Sequence, residues 1–502
     1  MREYSETELV KSKEYKSLIT DAEEAVRRFF PKTGGLGFGG MAGTSYPKKI
    51  LKTVAGMIEE GKFEGRGYHV YGGGSTSDAF DSWIDKLNIS KRYPLAASSP
   101  KLRTKANSRQ FEVADIGLYE HSRWIRTGLY ERLNGKMELA IVEASGITEE
   151  GHVIPPLSVD SAPSSIQMAE NVIVEVNTRY GILSGLHDIY YLKKNNLTPI
   201  SKPTDRIGTP YYDIPKSKIK AVVLSDEIDS ENTHYRGVSP KAAKIANSIL
   251  NTINSEIRND PTLANDYFTL QPGAGPISSS LNERISEINA DFYVWGEVVP
   301  SSWIINKGDN VMGISASVVY DLPGDRKYRE VLLANLDEFS KDVILRPYEI
   351  CNSPEMISRF SHITLQQAIE IDVFGGANIS HIGNNIYGGI GGSVDHSRPA
   401  HLVILALPST TGNGKVSRIV PFIFNLDIPH QDIDVIVTEN GVADIRGLSP
   451  LRRVEQIINN CASDSFKDPL WDYYEHLKSV GGQQPMDIRY YMNLARDLGL
   501  EY

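Results

Sequence analysis

A glutamate lies inside a strongly apolar stretch of the chain, and its position there needs an explanation. Glu297 is flanked by aromatic and β-branched residues between Asp291 and Pro300. That composition predicts a buried strand. An ionised carboxylate is costly to desolvate in such surroundings unless another group compensates it. Because a carboxylate is also a nucleophile, Glu297 is a candidate for covalent catalysis.

Two glycine-rich segments, 271–276 and 388–393, lie far from Glu297 in sequence. Glycine-rich loops expose backbone N–H groups without a side chain in the way, and a developing oxyanion requires such donors. A nucleophilic carboxylate with two such loops predicts acyl transfer through a covalent intermediate. The alternative is that Glu297 only ends a strand and that the loops are only turns. The residues by themselves leave both interpretations open.

Length, composition and charge limit the class of protein. At 502 residues the chain should form two or more domains, and its 40% hydrophobic and 23% charged residues are ordinary for a soluble protein. The net charge of −10 is spread without a Lys/Arg-rich block, which argues against nucleic acid or membrane surfaces as partners. The first residues lack a signal-peptide core, and no run of 18 apolar residues occurs. We therefore predict a cytoplasmic protein.

Strands and helices are predicted to alternate along the chain, which indicates an α/β fold with mostly parallel sheets covered on both faces. Besides the Glu297 strand, apolar runs predict strands at 139–143, 172–176, 219–224, 267–270, 343–346, 402–405 and 434–437, and residues 36–39 are a short strand or loop. Capping signals and amphipathic patterns predict helices at 20–30, 47–60, 164–170, 240–257, 277–288 and 450–461. A proline-rich stretch at 198–218 is the best linker candidate. We predict two open α/β domains, 1–225 and 226–502, the second carrying Glu297.

Two further glycine segments suggest ligand binding more weakly. Residues 35–40 match the dinucleotide fingerprint G-x-G-x-x-G, but no strand is predicted before them, as that fingerprint requires. An NAD-dependent oxidoreductase is therefore a minor alternative. The second segment, 72–77, follows a predicted strand end, where ligands bind in open α/β sheets, and is also compatible with a plain turn.

Metal and serine-hydrolase chemistry find little support in the sequence. The histidines show no helical i, i+4 pairing beside a glutamate, and no G-x-S-x-G elbow occurs. Cys351 and Cys461 are too few for a disulfide framework and wrongly spaced for a metal site. His187 and Asp188 are adjacent strand residues that point to opposite faces, so we interpret them as structural.

Taken together, a series of motifs makes the sequence similar to the acetyl-CoA hydrolase/transferase family, which includes succinyl-CoA:acetate CoA-transferases. The likeness covers nearly the whole chain. In the first half it rests on GTSYPK (43–48), VEASGITE (142–149), VEVN (174–177) and GLHDI (185–189). In the second half it rests on GAG (273–275), Glu297-Val298, NSPE (352–355), GIGGS (389–393), IVP (419–421) and, most specifically, VTENGVADIRGLSP (437–450).

The resemblance implies two CoA-transferase-like domains with the active site in the cleft between them. It implies that Glu297 attacks an acyl-CoA thioester and that a glutamyl-CoA thioester then forms, giving ping-pong kinetics. The matching positions imply oxyanion-hole amides at Ala274 and Gly392, and Asn352 and Glu439 near the nucleophile. The remaining implied substrate and CoA contacts are Gly273, Gly275, Pro276, Ile277, Gly388, Gly391 and Lys415, with Arg418 as a second candidate for the ADP end of CoA.

The chain departs from the family pattern around the implied acyl and CoA sites. Trp295 precedes Glu297 where relatives carry smaller or hydroxylated residues. Gly388, Gly412 and Asn425 replace an asparagine, a lysine and a histidine of the family. These changes leave the acyl substrate open. Trp295 either lines the acyl pocket and restricts it to short acyl groups, or packs in the core beneath the nucleophile.

Several expectations about activity follow from the resemblance. The substrates are a short-chain acyl-CoA and a short carboxylate, coenzyme A is a substrate, and no metal or redox cofactor is required. A homodimer is expected. The alternatives are an acyl-CoA hydrolase that uses the same glutamate and, with less support, a binding protein without turnover.

Overall fold

The computed structural model describes residues 3–72, 74, 77–94, 99–193, 196–232, 239–264 and 266–500. The described helices are α1 Glu6–Leu9, α2 Lys13–Lys16, α3 Ala22–Phe29, α4 Lys48–Glu59, α5 Asp78–Ile84, α6 Pro100–Asn107, α7 Leu118–Arg126, α8 Leu129–Asn134, α9 Ala162–Met168, α10 Pro240–Asn259, α11 Pro261–Ala264, α12 Pro276–Asn282, α13 Ser301–Ile305, α14 Arg326–Ala334, α15 Leu336–Phe339, α16 Tyr348–Cys351, α17 Pro354–Arg359, α18 Ser393–Ser397, α19 Pro450–Cys461, α20 Asp464–Val480 and α21 Ile488–Leu494.

The described strands are β1 Gly34–Phe38, β2 Tyr68–Tyr71, β3 Ile89–Tyr93, β4 Glu112–Val113, β5 Met137–Ala144, β6 Gly146–Ile147, β7 Val153–Ile154, β8 Asn171–Asn177, β9 Ile219–Ser225, β10 Phe268–Gln271, β11 Phe292–Pro300, β12 Val311–Tyr320, β13 Val343–Leu345, β14 Ile363–Gln367, β15 Glu370–Asp372, β16 Ala377–Asn378, β17 His381–Ile382, β18 Asn385–Ile386, β19 Leu402–Ala406, β20 Thr410–Thr411, β21 Val416–Ser417, β22 Ile419–Val420, β23 Val435–Thr438 and β24 Gly441–Asp444.

The chain forms two compact units, and each is made of more than one stretch of sequence. Unit 1 comprises Met1–Tyr235, Tyr293–Lys307 and Val311–Met356. Unit 2 comprises Arg236–Phe292, Gly308–Asn310 and Ile357–Tyr502. Glu297, Asn352 and the strand β12 thus belong to unit 1. The division into domains 1–225 and 226–502 stays a prediction.

Unit 1 contains a seven-stranded sheet in the order β4-β3-β2-β1-β5-β8-β9, and all of its strand pairs are parallel. The central strands β5 and β8 are almost entirely buried, as their continuous apolar sequences predict for a sheet covered on both faces. Helices α3 and α4 pack on one face. The side chain of Asp21 caps α3 by accepting a hydrogen bond from the Glu24 amide at 2.8 Å. The same unit also contains the strand order β13-β12-β11.

The first two glycines of the dinucleotide fingerprint lie inside a strand, and the third, Gly40, follows it. Gly35 and Gly37 belong to β1, between β2 and β5. A Cβ on Gly37 would lie 2.9 Å from the Ser165 Cβ, so glycine is needed there for close packing of α9 on the sheet. A phosphate-binding fingerprint instead requires these glycines in the turn after a strand. The nicotinamide interpretation is therefore wrong.

A network of buried charges joins distant segments within unit 1. Lys48 Nζ lies 2.5 Å from Glu143 Oε2 and 2.7 Å from Asp229 Oδ1. Arg329, on α14, pairs with the other oxygen of Asp229 at 2.6 Å and with Asp321 at 2.9 Å. Burial alone would raise the pKa of Asp229, but Lys48 and Arg329 hold it below its usual range. The network connects α4 near the start of the chain to α14.

The proline-rich stretch 198–218 belongs to unit 1 and packs there with irregular backbone. Ile200 and Tyr212 are buried within it. Asp188 accepts hydrogen bonds from the amides of Ile207 at 2.9 Å and Gly208 at 2.6 Å, and pairs with Arg346. Asp188 therefore has the structural role predicted for it. Of the predicted glycine turn 72–77, residues 73, 75 and 76 lie outside the described residues.

Unit 2 contains the strand order β10-β14-β19-β23-β24, in which only the last pair is antiparallel. Helices α19 and α20 cover a core that includes Ile436, Ile457 and Tyr473. Because parallel strands end at one edge, the loops after β10, β14 and β23 share that edge, where ligands bind in open α/β sheets. The mixed α/β architecture with mostly parallel sheets is as predicted.

The predicted elements differ from the observed ones mainly at their ends. The helix predicted at 277–288 ends at Asn282 and is followed by a short 3-10 turn over Ile285–Glu287. The helix predicted at 164–170 begins earlier, at Ala162, because Pro163 fits the first helical turn. Within the described residues, no helix combines the length and apolar character needed to cross a membrane.

Candidate active site

Glu297 lies in the second half of β11, and its neighbours explain why this segment is a strand. The strand's sequence is FYVWGEVVP, and seven of the nine residues are buried. The Glu297 side chain keeps 7% of its exposure, so it is largely removed from water. A carboxylate in this position requires polar partners from the protein.

Asn352 supplies one such partner. Its Nδ2 donates a hydrogen bond to Glu297 Oε2 at 3.3 Å, and Asn352 is itself fully buried. Asn352 follows directly after the short helix α16. The amide restricts the carboxylate's rotation and replaces a water molecule at one oxygen. The structure thus brings together these two residues, which are 55 positions apart in sequence.

Trp295 helps to place Asn352. Its indole Nε1–H donates to the Cys351 carbonyl at 2.8 Å, one residue before Asn352, and the Arg346 guanidinium lies 5.8 Å from its ring. The side chain is fully buried. Of the two interpretations of Trp295, the structure supports the one in which its side chain packs in the core.

A partly buried ion pair holds the helix α16 in unit 1. Arg126, on α7, binds both carboxylate oxygens of Glu349 at 2.8 and 2.9 Å. Burial raises the pKa of Glu349, and Arg126 acts in the opposite direction. Because α16 is a single turn, such tertiary contacts determine where Asn352 points.

The first glycine loop, in unit 2, follows β10 and is pressed against β14. Gly273 has φ +69°, and a Cβ there would lie 2.7 Å from the Leu365 carbonyl oxygen. The Ala274 carbonyl accepts a hydrogen bond from Gln367 Nε2. Gly275 has φ +114° and precedes α12, whose first two residues are Pro276 and Ile277. Only glycine allows this loop to lie so close to the strand.

The second glycine loop, also in unit 2, precedes the five-residue helix α18. The Gly388 amide donates to the Ser380 carbonyl at 3.1 Å, and Gly391 has φ +55°. Gly392 is the N-cap residue of α18 and is buried. Its carbonyl accepts the first hydrogen bond of that helix, from the His396 amide at 3.1 Å.

Glu439 lies directly after β23. Its carboxylate accepts hydrogen bonds from the Ser409 amide at 2.7 Å and the Ser409 hydroxyl at 3.0 Å, and pairs with Lys241 at 2.9 Å. Burial alone would raise its pKa, but these contacts hold the pKa of Glu439 below its usual range. Glu439 is therefore an anion fixed at the carboxyl edge of the unit 2 sheet.

The two candidate CoA cations differ in their surroundings. Lys415 is exposed in the turn between β20 and β21. Arg418 is partly buried, and burial lowers its pKa while Glu370 partly offsets this. Arg418 also lies within electrostatic reach of Glu439 and Tyr387. Arg418 thus belongs to the carboxyl edge of the unit 2 sheet.

Unit 1 therefore pairs Glu297 with Asn352, and unit 2 contains both glycine loops, Glu439, Arg418 and Lys415. The convergence of these two sets stays a prediction. Among the described residues, no group of three His, Cys, Asp or Glu side chains is arranged to hold a metal ion. The sequence interpretation missed Gln367, which binds the Ala274 carbonyl. The available signal was a polar pair, Gln366-Gln367, at the end of a buried strand.

The fold and these residues define an α/β protein with a buried candidate nucleophile and two glycine-rich loops, and comparison with known proteins identifies its family. The acetyl-CoA hydrolase/transferase N-terminal domain matches residues 3–223, and the C-terminal domain of the same family matches residues 329–474. The chain belongs to the acetyl-CoA hydrolase/transferase family and is an enzyme of that family.

Individual relatives include both activities in that family name. The chain is 33% identical over 454 residues to a succinyl-CoA:acetate CoA-transferase of Clostridium kluyveri, covering 88% of this chain and 81% of the relative. It is 30% identical over 487 residues to an acetyl-CoA hydrolase of Yarrowia lipolytica, covering 93% and 91%. The crystal structure of RipA from Yersinia pestis has the same fold, with a TM-score of 0.71, 20% identity, and coverage of 92% and 98%.

Proposed function

We propose that the protein is a CoA-transferase that moves CoA between a short-chain acyl-CoA and a short carboxylate through a glutamyl-CoA thioester on Glu297. The observation that carries this proposal is the buried Glu297 carboxylate with the Asn352 amide 3.3 Å from its Oε2. Burial removes much of the water that weakens a carboxylate as a nucleophile, and a fixed orientation reduces the entropy lost on reaction. The family supports the same choice of residue.

The proposed reaction has two halves. A Glu297 oxygen attacks the thioester carbonyl and CoA leaves as its thiolate, giving an acyl-glutamyl anhydride. The thiolate then attacks the Glu297 carbonyl of the anhydride, so that the donor's carboxylate leaves and a glutamyl-CoA thioester remains. In the second half an acceptor carboxylate attacks this thioester and the same steps run in reverse. Each attack places negative charge on a carbonyl oxygen.

Backbone amides at Ala274 and Gly392 are the proposed donors to that oxygen. One such donor can contribute about 3 kcal/mol to the stability of a tetrahedral transition state. Support comes from each loop separately: Ala274 lies between Gly273 and Gly275, and Gly392 follows Gly391 and has no side chain of its own. The neighbouring residues Pro276, Ile277, Gly388 and Gly391 are proposed to contact CoA, and either Lys415 or Arg418 to bind its ADP end.

The test is covalent trapping. Protein supplied with acetyl-CoA and no acceptor should accumulate CoA on Glu297, located by mass spectrometry after borohydride treatment of the thioester. Glu297→Gln should abolish the adduct and lower transfer by more than about 1,000-fold, because an amide of the same shape is no nucleophile. As a matched control, exposed Glu287→Gln should retain both. An adduct on another residue, or none in the wild-type protein, would falsify the proposal.

Hydrolysis is the second candidate, since the Yarrowia lipolytica relative is named an acetyl-CoA hydrolase. In that case water takes the place of the acceptor carboxylate at the glutamyl-CoA thioester. We expect acetyl-CoA consumption to be slow alone and to rise at least about 10-fold on adding a carboxylate acceptor. Equal rates with and without every short carboxylate tested would favour the hydrolase.

A further inference from the structure

A buried chain of hydrogen bonds in unit 2 lies outside the residues assigned so far. Thr269 Oγ1 lies 2.7 Å from His362 Nδ1, and His362 Nε2 lies 3.1 Å from His396 Nδ1. All three side chains are fully buried. The two imidazole rings are 5.2 Å apart and tilted by 35°. We call this series the Thr269–His362–His396 chain.

Both histidines are neutral over the physiological pH range. Burial lowers the pKa of His396 to about 3, and burial together with His396 lowers the pKa of His362 well below its usual value. A neutral imidazole carries one N–H and one acceptor nitrogen. The Thr269–His362 and His362–His396 hydrogen bonds can therefore each have one donor and one acceptor. Two charged imidazoles would repel each other instead.

The Thr269–His362–His396 chain ends on α18, the helix that follows the second glycine loop. His396 is the fourth residue of α18, whose N-cap is Gly392. A helix of five residues has no stability of its own in water, so contacts with the rest of unit 2 must fix its direction. His396 provides a buried, directional contact of this kind. Because Gly392 is the N-cap of α18, we expect a change in that contact to shift the helix and the Gly392 amide together.

The other end of the chain lies on the strands that carry the first glycine loop. Thr269 is on β10, two residues before Gln271 and four before Gly273. His362 directly precedes β14, and at the far end of β14 Gln367 binds the Ala274 carbonyl. The strand β14 therefore has a polar contact to the first loop at one end and to α18 at the other.

We propose that His362 and His396 are positioning residues that hold the Gly392 amide in place for the oxyanion, with Thr269 orienting His362. This inference rests on the proposed function, since it assigns a purpose to that amide. The effect of the two histidines acts through the placement of α18 alone.

The test uses two matched pairs of variants. Thr269→Val keeps the shape of threonine and removes its hydroxyl, whereas Thr269→Ser retains the hydroxyl. His396→Leu removes the nitrogen that faces His362, whereas His396→Asn keeps a polar atom near the Nδ1 position. We expect kcat to fall about 10- to 100-fold in His396→Leu and about 5-fold in Thr269→Val, with KM changed less than about 2-fold. Thr269→Ser and His396→Asn should recover most of the loss.

The rate of CoA attachment and the melting temperature separate a positioning role from a purely structural one. The rate of CoA attachment to Glu297 in the first half-reaction should fall in parallel with kcat. If the wild-type protein forms no adduct, the proposed function fails first. If the adduct forms and all four variants form it at the wild-type rate, the positioning inference is overturned. A lower melting temperature with wild-type kcat in Thr269→Val would also overturn it, and that variant decides the matter if His396→Leu does not fold.

Discussion

The two glycine loops of unit 2 have the same proposed role but are held by different means. In the first loop, an added Cβ at Gly273 would lie 2.7 Å from a main-chain oxygen of β14. In the second loop, an added Cβ at Gly388 or Gly391 would meet no atom of the described chain within 4 Å. The first loop is therefore fixed by direct packing along its length. The second is held at its ends, by the Gly388–Ser380 hydrogen bond before it and by the helix α18 after it.

This difference shows where each loop is vulnerable. A loop packed against a strand has little space for change within itself, and even one methyl group must displace the backbone. A loop with open space at Gly388 and Gly391 tolerates a methyl group there, but its amides are misplaced when the helix that follows it moves. We expect the first loop to be sensitive at its own residues and the second at the Thr269–His362–His396 chain.

Among substitutions in or beside the two loops, the largest effect on kcat is expected from Gly273→Ala. The substitution combines a left-handed backbone, φ +69°, with a contact of 2.7 Å to the Leu365 oxygen, so the loop must move. Displacement by about 1 Å can cost roughly 100-fold in rate. Transfer assays should therefore show kcat reduced by about 100-fold or more. A loss below about 5-fold would contradict the tight-loop interpretation.

Removing the side chain that binds the first loop should have a smaller effect. Gln367→Met keeps the length of glutamine and deletes the hydrogen bond to the Ala274 carbonyl. We expect kcat to fall about 10-fold, because the packing of Gly273 on β14 remains. The assay should be run beside Gly273→Ala. If Gln367→Met were the more damaging of the two, the hydrogen bond and not the packing would hold the loop.

His396, which we propose holds the helix after the second loop, predicts that the free energy of unfolding depends on pH. The pKa of His396 is near 3 in the folded protein and near 6.5 when unfolded, so below pH 6.5 the unfolded chain binds a proton that the folded chain does not. The contribution of neutral, buried His396 to the free energy of unfolding is present above pH 6.5 and is lost as the pH falls below that value. From pH 7 to 5 the free energy of unfolding should drop by about 2 kcal/mol less in His396→Asn than in wild type.

Urea unfolding at several pH values gives this comparison directly. Buried histidines away from His396, such as His187, contribute equally to both proteins and cancel in the difference. His362 loses the part of its pKa shift that comes from His396, but burial, the larger cause, lowers its pKa in both proteins. Identical pH profiles would mean that His396 is solvated or already protonated in the folded state, and the anchor would then lose its physical basis.

The smallest effect is expected from Gly391→Ala. Its φ of +55° costs an alanine about 1 kcal/mol, and no neighbouring atom must move. The melting temperature should fall by about 2 °C, with kcat within about 3-fold of wild type. Gly61→Ala, at φ +67° just after α4 and likewise with no atom within 4 Å of an added Cβ, is the matched control and should show the same loss of stability with unchanged kcat. A 100-fold loss in Gly391→Ala would remove the contrast between the loops.

The sequence predicted the sheets well because buried parallel strands have a strong local signature. β5 and β8 read as continuous apolar runs, and their observed ends lie within two residues of the predicted ones. Element ends were less accurate where a proline in the first helical turn or a 3-10 turn changed the boundary. The unit to which β11 belongs depends on long-range packing, which no local pattern contains.

The candidate site was predictable only in part. Glu297 was recognisable from its apolar flanks, whereas its contact with Asn352 came from the family resemblance and not from spacing. The side-chain alternation of a strand puts Trp295 and Glu297 on one face, but it cannot distinguish a pocket wall from the core. His362 and His396 form a buried structural pair, and such a pair leaves no metal-binding or catalytic pattern in the sequence.

The buried charge network of unit 1 has a consequence for synthesis of the chain. Lys48, Glu143 and Asp229 all emerge from the ribosome before Arg329, which lies 100 residues after Asp229. At ordinary translation rates this delay is on the order of 5–20 s. During it two carboxylates share one ammonium group. We expect the nascent amino-terminal sheet to stay partly hydrated around Asp229 until α14 arrives, so the last step in closing unit 1 is the burial of an arginine made late.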